Sequence, residues 1–277
     1  FLTRIFDKKM NESVNNTLPN NVRLICSSGG KITSEMLENI NIFFPDSLFY
    51  SMYGLTEAFR STYLEPLQIK VRPTSIGRPI PDVELYVIND SGYECKPYEV
   101  GELIHRGGCV GKGYWNRVEE TKKRFKSISI LNKVINLDGS LNDELVVFSG
   151  DYVYKDDEGY IYFVSRKDEM IKSSGYRISP YEIESSAYEI ESIRECAVFS
   201  IEDVGIGQRI IMAYTSAYDL NINEIQLELK KTLPNYMIPT TIYRLESMPT
   251  TVANQGKINK SRIKHDYVSR YVDNDKG

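Results

Sequence analysis

The hydrophobic pattern of this chain changes character twice, near Pro66 and near Asp168, and those two changes limit what it can fold into. Before Pro66 the pattern is that of an α/β layer. Val22 to Cys26 reads as a short buried strand closed by Ser27-Ser28-Gly29-Gly30. A helix fits Ser34 to Ile42, with Met36, Leu37 and Ile40 on one side, and Leu48 to Met52 reads as a second strand. After Pro66 the prolines at 73, 79 and 81 break any long helix. Short strands take over: Val83 to Ile88, Gly101 to Arg106, and a hairpin from Tyr152–Lys155 to Tyr160–Val164 through Asp156-Asp157-Glu158-Gly159. Ser127 to Glu144 is polar and irregular and reads as a surface loop.

From Asp168 onward helical and strand periods mix. Ser179-Pro180-Tyr181-Glu182 is a capping box with proline at the first helical position. Ile183, Ala187 and Ile190 follow at helical spacing. Cys196 to Ile201 and Ile210 to Tyr214 are strands, and Ile222 to Leu233 is a helix stopped by Pro234. The pattern predicts three parts: residues 1–65, a partial α/β subdomain; 66–167, a β-rich subdomain; and 168–277, an α+β module in the order βααββα. At 277 residues the chain is long enough for two compact units.

Composition removes several function classes. The formal net charge is −4, so there is no cationic surplus for a nucleic-acid backbone. The longest apolar runs, such as Cys196 to Ile201, are far too short to span a bilayer. The four cysteines, at 26, 95, 109 and 196, never reach CxxC spacing, and two histidines are too few for a metal cluster. Four reduced thiols fit a cytoplasmic protein.

Three stretches carry chemistry when taken in order. The first is Ser51-Met52-Tyr53-Gly54-Leu55-Thr56-Glu57. The second is Gly101-Glu102-Leu103-Ile104-His105-Arg106-Gly107, followed by Gly113-Tyr114-Trp115-Asn116 and Glu119-Glu120-Thr121. The third runs from Ser149-Gly150-Asp151 through Ser165-Arg166-Lys167-Asp168 to the segment Ile171–Pro180. Singly each is weak; their ordered co-occurrence is specific. Together they resemble the core motifs of the adenylate-forming superfamily, which holds acyl-CoA synthetases, peptide-synthetase adenylation domains and beetle luciferases. The resemblance covers the chain from about Val22 to about Ile263. Neither Gly29-Gly30-Lys31 nor Gly111-Lys112 satisfies the P-loop spacing.

The resemblance implies a fold and a set of roles. The fold is the end of a large N-terminal α/β domain with a small β-barrel-like subdomain, followed by a mobile α+β C-terminal domain. Tyr53, with Gly54 beside it, is placed against the adenine ring, as an aromatic face suits. Thr56 donates to the α-phosphate of ATP or AMP, and Glu57 holds Mg²⁺, a cation that prefers carboxylate oxygen. Gly29, Gly30 and Lys31 match a nucleotide-facing loop, although Lys31 departs from the usual small or acidic residue. Asp151 accepts from both ribose hydroxyls, a task for two carboxylate oxygens, and Arg166 donates to ribose or phosphate. Ser149 stands for the usual Thr and Ser165 for the usual Gly. Asp168 matches a hinge about which the C-terminal domain rotates between half-reactions. Lys172 and Gly175 then face the nucleotide and the pantetheine arm of CoA.

Gly256-Lys257-Ile258 resembles the motif bearing the adenylation lysine. Carboxylate and α-phosphate are both anions, and a lysine bridging them offsets their repulsion. Val252–Gln255 lengthens the preceding loop, and Lys260 and Lys264 compete for the role, but only Lys257 follows a glycine. The Ser/Thr/Gly-rich triphosphate loop of the family has no counterpart in these 277 residues, and Phe1 is not Met. Both predict the C-terminal portion of a longer enzyme, inactive by itself. Leu55 in place of proline and the Ser174–Pro180 run resemble acyl-CoA ligases. Asp168–Lys172 and Ser61–Leu64 resemble the exosortase-associated type. The expected reaction is ATP-dependent activation of a carboxylic acid to acyl-AMP, then transfer to CoA. Amino-acid adenylation for a carrier protein and a non-catalytic nucleotide-binding remnant are the alternatives.

Overall fold

A computed structural model describes residues 22–28, 34–135, 144–251 and 257–271. They form two compact units that part between Lys167 and Asp168.

The first unit contains β1 (Leu24–Ser28), α1 (Ser34–Phe43), β2 (Leu48–Leu55), β3 (Ala58–Leu64), α2 (Pro66–Ile69), β4 (Ser75–Pro79), β5 (Val83–Ile88), β6 (Gly101–Gly107), α3 (Val118–Arg124), β7 (Phe125–Ser127), β8 (Leu145–Lys155) and β9 (Ile161–Arg166). β1 and β2 pair in parallel, as expected of strands flanking a helix. Every later neighbour is antiparallel, and the strand order is β1-β2-β3-β4-β9-β8-β6-β5, with β7 on β8. Among the described residues this path stays open, so the expected barrel-like subdomain is instead part of one continuous sheet. Short strands joined by tight turns register just as well on an open sheet as around a barrel. The local pattern therefore does not separate the two.

Apolar alternation locates the cores. Ile40 of α1 packs with Phe49, Leu64, Ile69 and Tyr160, covering the parallel end of the sheet. Val83, Leu85, Val87, Leu103, Val153 and Ile161 fill the antiparallel end. The surface loop expected from Ser127 is corrected at its start. Ile128–Leu131 is a 3₁₀ turn, and Ile128 and Leu131 pack fully buried against Ile88, Ile104 and Val146. Their spacing of three puts both on one side of such a turn, a signal hidden among serines.

The second unit holds β10 (Ile171–Ser173), β11 (Tyr176–Ile178), α4 (Pro180–Tyr188), β12 (Glu195–Asp203), β13 (Gly207–Thr215), α5 (Ile222–Lys230), β14 (Thr241–Arg244) and α6 (Lys260–Tyr271). The order is ββαββαβα rather than βααββα, because three- and four-residue strands are too short to show a period. The capping box is real: Ser179 accepts the Glu182 N–H, with Pro180 at the first helical position. α5 ends at Lys230, three residues short of Leu233. Its last turn tightens through Lys231 N–H to Glu228 O and Thr232 N–H to Leu229 O. The residue before Pro234 also disfavours helix.

Candidate active site

Asp151 lies in the middle of β8 and Arg166 at the end of β9, and strand register sets them opposite each other. Arg166 Nη1 donates to Asp151 Oδ1 at 2.7 Å. From β2, the Tyr53 hydroxyl donates to Asp151 Oδ2. Asp151 is only 3% exposed. Ser149 fixes its strand, donating its hydroxyl to Leu103 O at 2.7 Å and accepting the Asp151 N–H at 3.0 Å. Burial raises the Asp151 pKa, and the bonds from Tyr53 and Arg166 oppose that rise. Burial first, and then the Asp151 charge, hold the Tyr53 hydroxyl well above its ordinary pKa, so it stays a donor.

The Tyr53 ring stacks on His105 of β6, with centroids 6.2 Å apart and planes 25° from parallel. His105 is fully buried, and neither ring nitrogen has a hydrogen-bond partner among the described residues. Burial pushes its pKa down to about 3, so it is neutral. It acts as a flat support under Tyr53, not as an acid or base.

Tyr53 leads directly to the second carboxylate. Thr56 and Glu57 form the turn between β2 and β3, closed by the Leu55–Ala58 pair. The hairpin is tight at Gly54, where an added Cβ would lie 2.2 Å from Arg60 N. Glu57 O accepts the Gly111 N–H at 2.8 Å, and its side chain accepts from the Tyr114 hydroxyl. Tyr114 packs edge-on to Phe125 at 5.6 Å. Its pKa is pushed up to about 12, by burial first and then by Glu57. Thr56 is exposed. Two residues near these carboxylates escape sequence reasoning. Tyr114 belongs to the Gly113-Tyr114-Trp115-Asn116 run, which carries the resemblance but suggests no role by itself. Arg124, at the end of α3, donates to Phe148 O at 3.3 Å, and its charge bears on both Asp151 and Tyr114. With Tyr114, Arg117, Glu120 and Lys123 it lines an open pocket of about 420 Å³.

The second unit holds the remaining expected residues. Asp168 is its first residue. Lys172 of β10 has an exposed side chain, and its N–H donates to Gln208 Oε1 at 2.8 Å. Ser174 and Gly175 make the two-residue turn from β10 to β11, with φ of +50° and +84°. Lys257 is exposed, but its backbone is tied. Its carbonyl accepts the Thr251 N–H at 3.0 Å, Thr250 bridges Ile258, and the Asn259 N–H donates to Pro249 O at 2.7 Å. Lys260 is drawn into two ion pairs, with Glu184 and Glu169, which weakens its rival claim. Gly29, Gly30 and Lys31 lie outside the described residues. The structure thus brings together Tyr53, Asp151 and Arg166, with Glu57 on the turn that follows Tyr53, while Lys172, Gly175 and Lys257 belong to the other unit.

Comparison with known proteins decides the family. The sequence pattern of the AMP-binding enzymes matches residues 1–115, and that of the AMP-binding enzyme C-terminal domain matches residues 182–254. The chain belongs to the AMP-binding, adenylate-forming enzyme family.

The relatives of this chain include CoA ligases and gramicidin, surfactin and tyrocidine synthases. It is 32% identical to a long-chain-fatty-acid–CoA ligase of Bacillus subtilis, over 76% of this chain and 35% of the ligase. It is 35% identical to a linear gramicidin synthase of Brevibacillus parabrevis, over 78% of this chain and 4% of that protein. Among solved structures, Bacillus subtilis o-succinylbenzoate CoA synthetase in complex with its acyl-adenylate intermediate superposes with a TM-score of 0.77 at 25% identity. That match covers 95% of this chain and 49% of the synthetase. The same synthetase in complex with ATP and a magnesium ion gives a TM-score of 0.76. The chain therefore spans about half the length of that synthetase and about a third of the ligase.

The residues present suit Mg²⁺ delivered with a nucleotide. Among the described residues no three His, Cys, Asp or Glu side chains converge into a cage of their own. Mg²⁺ is usually held by one or two carboxylates plus substrate phosphates, and Glu57 presents a carboxylate on the β2–β3 turn. No helix among the described residues is long and apolar enough to cross a membrane.

Proposed function

We propose that the whole protein uses ATP to activate a carboxylic acid as acyl-AMP, releasing pyrophosphate, and then passes the acyl group to the thiol of CoA in the cytoplasm. The observation that carries this reading is the buried Asp151 carboxylate, held by two strands and already accepting from two donors. A ribose presents two hydroxyl donors, so the Tyr53 hydroxyl occupies a place that a ribose hydroxyl takes in the nucleotide complex. Arg166 keeps the carboxylate charged during that exchange, and the Tyr53 ring, backed by His105, offers its face to adenine. Glu57, oriented by Tyr114, would hold Mg²⁺, which when bound would supply charge neutralisation at the phosphates. Thr56 donates to the α-phosphate. Lys257 bridges the acid's carboxylate and the α-phosphate. Asp168 serves as the hinge. The Lys172–Gly175 hairpin serves the second half-reaction.

CoA as acceptor is supported by Leu55, by the Ser174–Pro180 run and by the likeness to a CoA synthetase. A second reading, amino-acid adenylation for a carrier protein, is favoured by the 35% identity to a gramicidin synthase. Mass spectrometry of reactions containing the whole protein, ATP, Mg²⁺, CoA and single acids separates them. Acyl-CoA from a fatty or aryl acid is the expected product. Adenylate formed only from amino acids, with no CoA ester, supports the second reading. No product from any acid overturns both.

A further inference from the structure

Lys260 opens α6, and its Nζ lies 2.8 Å from Glu184 Oε1 and 3.2 Å from Glu169 Oε2. The Glu184 side chain, on α4, is 12% exposed, and the same Oε1 accepts the Val198 N–H of β12 at 2.7 Å. Burial works against the Lys260 charge, and Glu184 and Glu169 more than offset it, so the amine is held above its ordinary pKa. One ammonium therefore ties together the segment just after Asp168, the helix seated on the sheet, and the start of α6. With Lys260 28% and Glu169 44% exposed, solvent screens the Glu169 pair, and desolvation offsets most of the attraction in the Glu184 pair; the best-attested use of such an inner pair is to fix one arrangement over others.

Lys257 lies three residues upstream of the start of α6 that this pairing fixes. Asn259, between the two lysines, caps α6 by accepting the Arg262 N–H at 3.0 Å. Ile258 packs with Met248, Ile263 and Tyr267. A shift of the first turn of α6 would carry Lys257 with it. We propose that Lys260 is a positioning residue: through Glu184 and Glu169 it locks the segment bearing Lys257. This rests on the reading that Lys257 acts in acid activation.

Hydrogen exchange in the whole protein reads the lock without any turnover. The Thr251 and Asn259 amides, which bond to Lys257 O and Pro249 O, are the probes. In K260M both are expected to exchange about ten-fold faster, or more, while β12 and β13 stay protected. K260R is expected to restore them. In parallel, the kcat for ATP–pyrophosphate exchange falls about 10- to 100-fold in K260M, as misplacement of a reacting group by about 1 Å does, and the KM for ATP changes little. Unchanged amides in K260M, or full turnover in that variant, overturn the proposal, as does a K260R no better than K260M. If K260M loses protection throughout, E169Q decides, because it leaves the Glu184 pair in place. Faster exchange confined to the same two amides supports the lock, and no change contradicts it. Wild-type protein without acid-dependent exchange overturns the Lys257 reading itself, a different result from a negative amide test.

Discussion

Asp151 and Lys257 are the two charges on which the proposed chemistry leans, and the fold holds them in opposite ways. Asp151 is buried in the middle of a strand, with both oxygens engaged by Arg166 and Tyr53. Lys257 is exposed, and among the described residues its recorded bonds are those of the backbone. A preorganised acceptor has to be desolvated and kept charged before its ligand arrives, so the sheet supplies partners that the ligand then replaces. A cation that acts only when two anions meet is better left free, with its main chain fixed. Side-chain changes at the first site are therefore expected to cost stability as well as binding, and at the second to cost rate alone.

The largest expected effect tests the second half of that contrast. K257A should slow adenylation about 10²–10³-fold, the usual loss for one preorganised electrostatic contact. Its thermal midpoint should stay close to wild type, because exposed substitutions rarely shift stability by more than about 0.5 kcal/mol. A melting curve for K257A displaced by several degrees would break the contrast. Next comes D151A. It strands Arg166 and Tyr53, and about 1–3 kcal/mol of stability should be lost along with nucleotide affinity. Denaturant unfolding checks the first, and titration with AMP the second.

A pH-dependent effect separates burial from pairing. His105 has a folded pKa near 3 against an ordinary 6.5. The unfolded chain therefore takes up a proton as pH falls through about 6.5, while the folded protein refuses it until about 3. The His105 contribution to stability is fully present above that window and is lost going down through it, by at most about 1.4 kcal/mol per pH unit. H105L should flatten the pH dependence of unfolding between about pH 6.5 and about pH 4 relative to wild type; parallel curves would contradict a neutral, unpartnered His105. The smallest effect is at the hairpin. At Gly175 an added Cβ meets open space, but φ is +84°. G175A should cost about 1 kcal/mol through backbone strain alone, measurable by thermal unfolding.

Much of this is legible from residue order, for reasons that differ by element. The end of β8, from Tyr152 to Lys155, is located by the hairpin turn that follows it; its first part, with Ser149–Asp151, carries no alternation that marks it as strand. The capping box at Ser179 marks α4 because a hydroxyl, a proline and a glutamate each have one job there. The family itself is legible because several motifs occur in order. Other features are silent. An open sheet and a barrel use the same local pattern, and the choice lies in which edge strands meet. The Ile128–Leu131 turn spends only two apolar residues on the core. Tyr114 bonds to Glu57 across 57 positions, and Tyr53 to Asp151 across 98; no local signal encodes such contacts. The ion pairs of Lys260 likewise reach 91 positions back to Glu169.

On the proposed reading, this protein joins ATP to a carboxylic acid, with Lys257 as the cation between the two anions. ATP–pyrophosphate exchange by the whole protein, run across fatty, aryl and amino acids with wild type and K257A side by side, tests it most directly. Exchange that needs both Mg²⁺ and one class of acid, and that falls at least about 100-fold in K257A, is the expected result. Exchange that proceeds without any acid, or that K257A leaves intact, would contradict it.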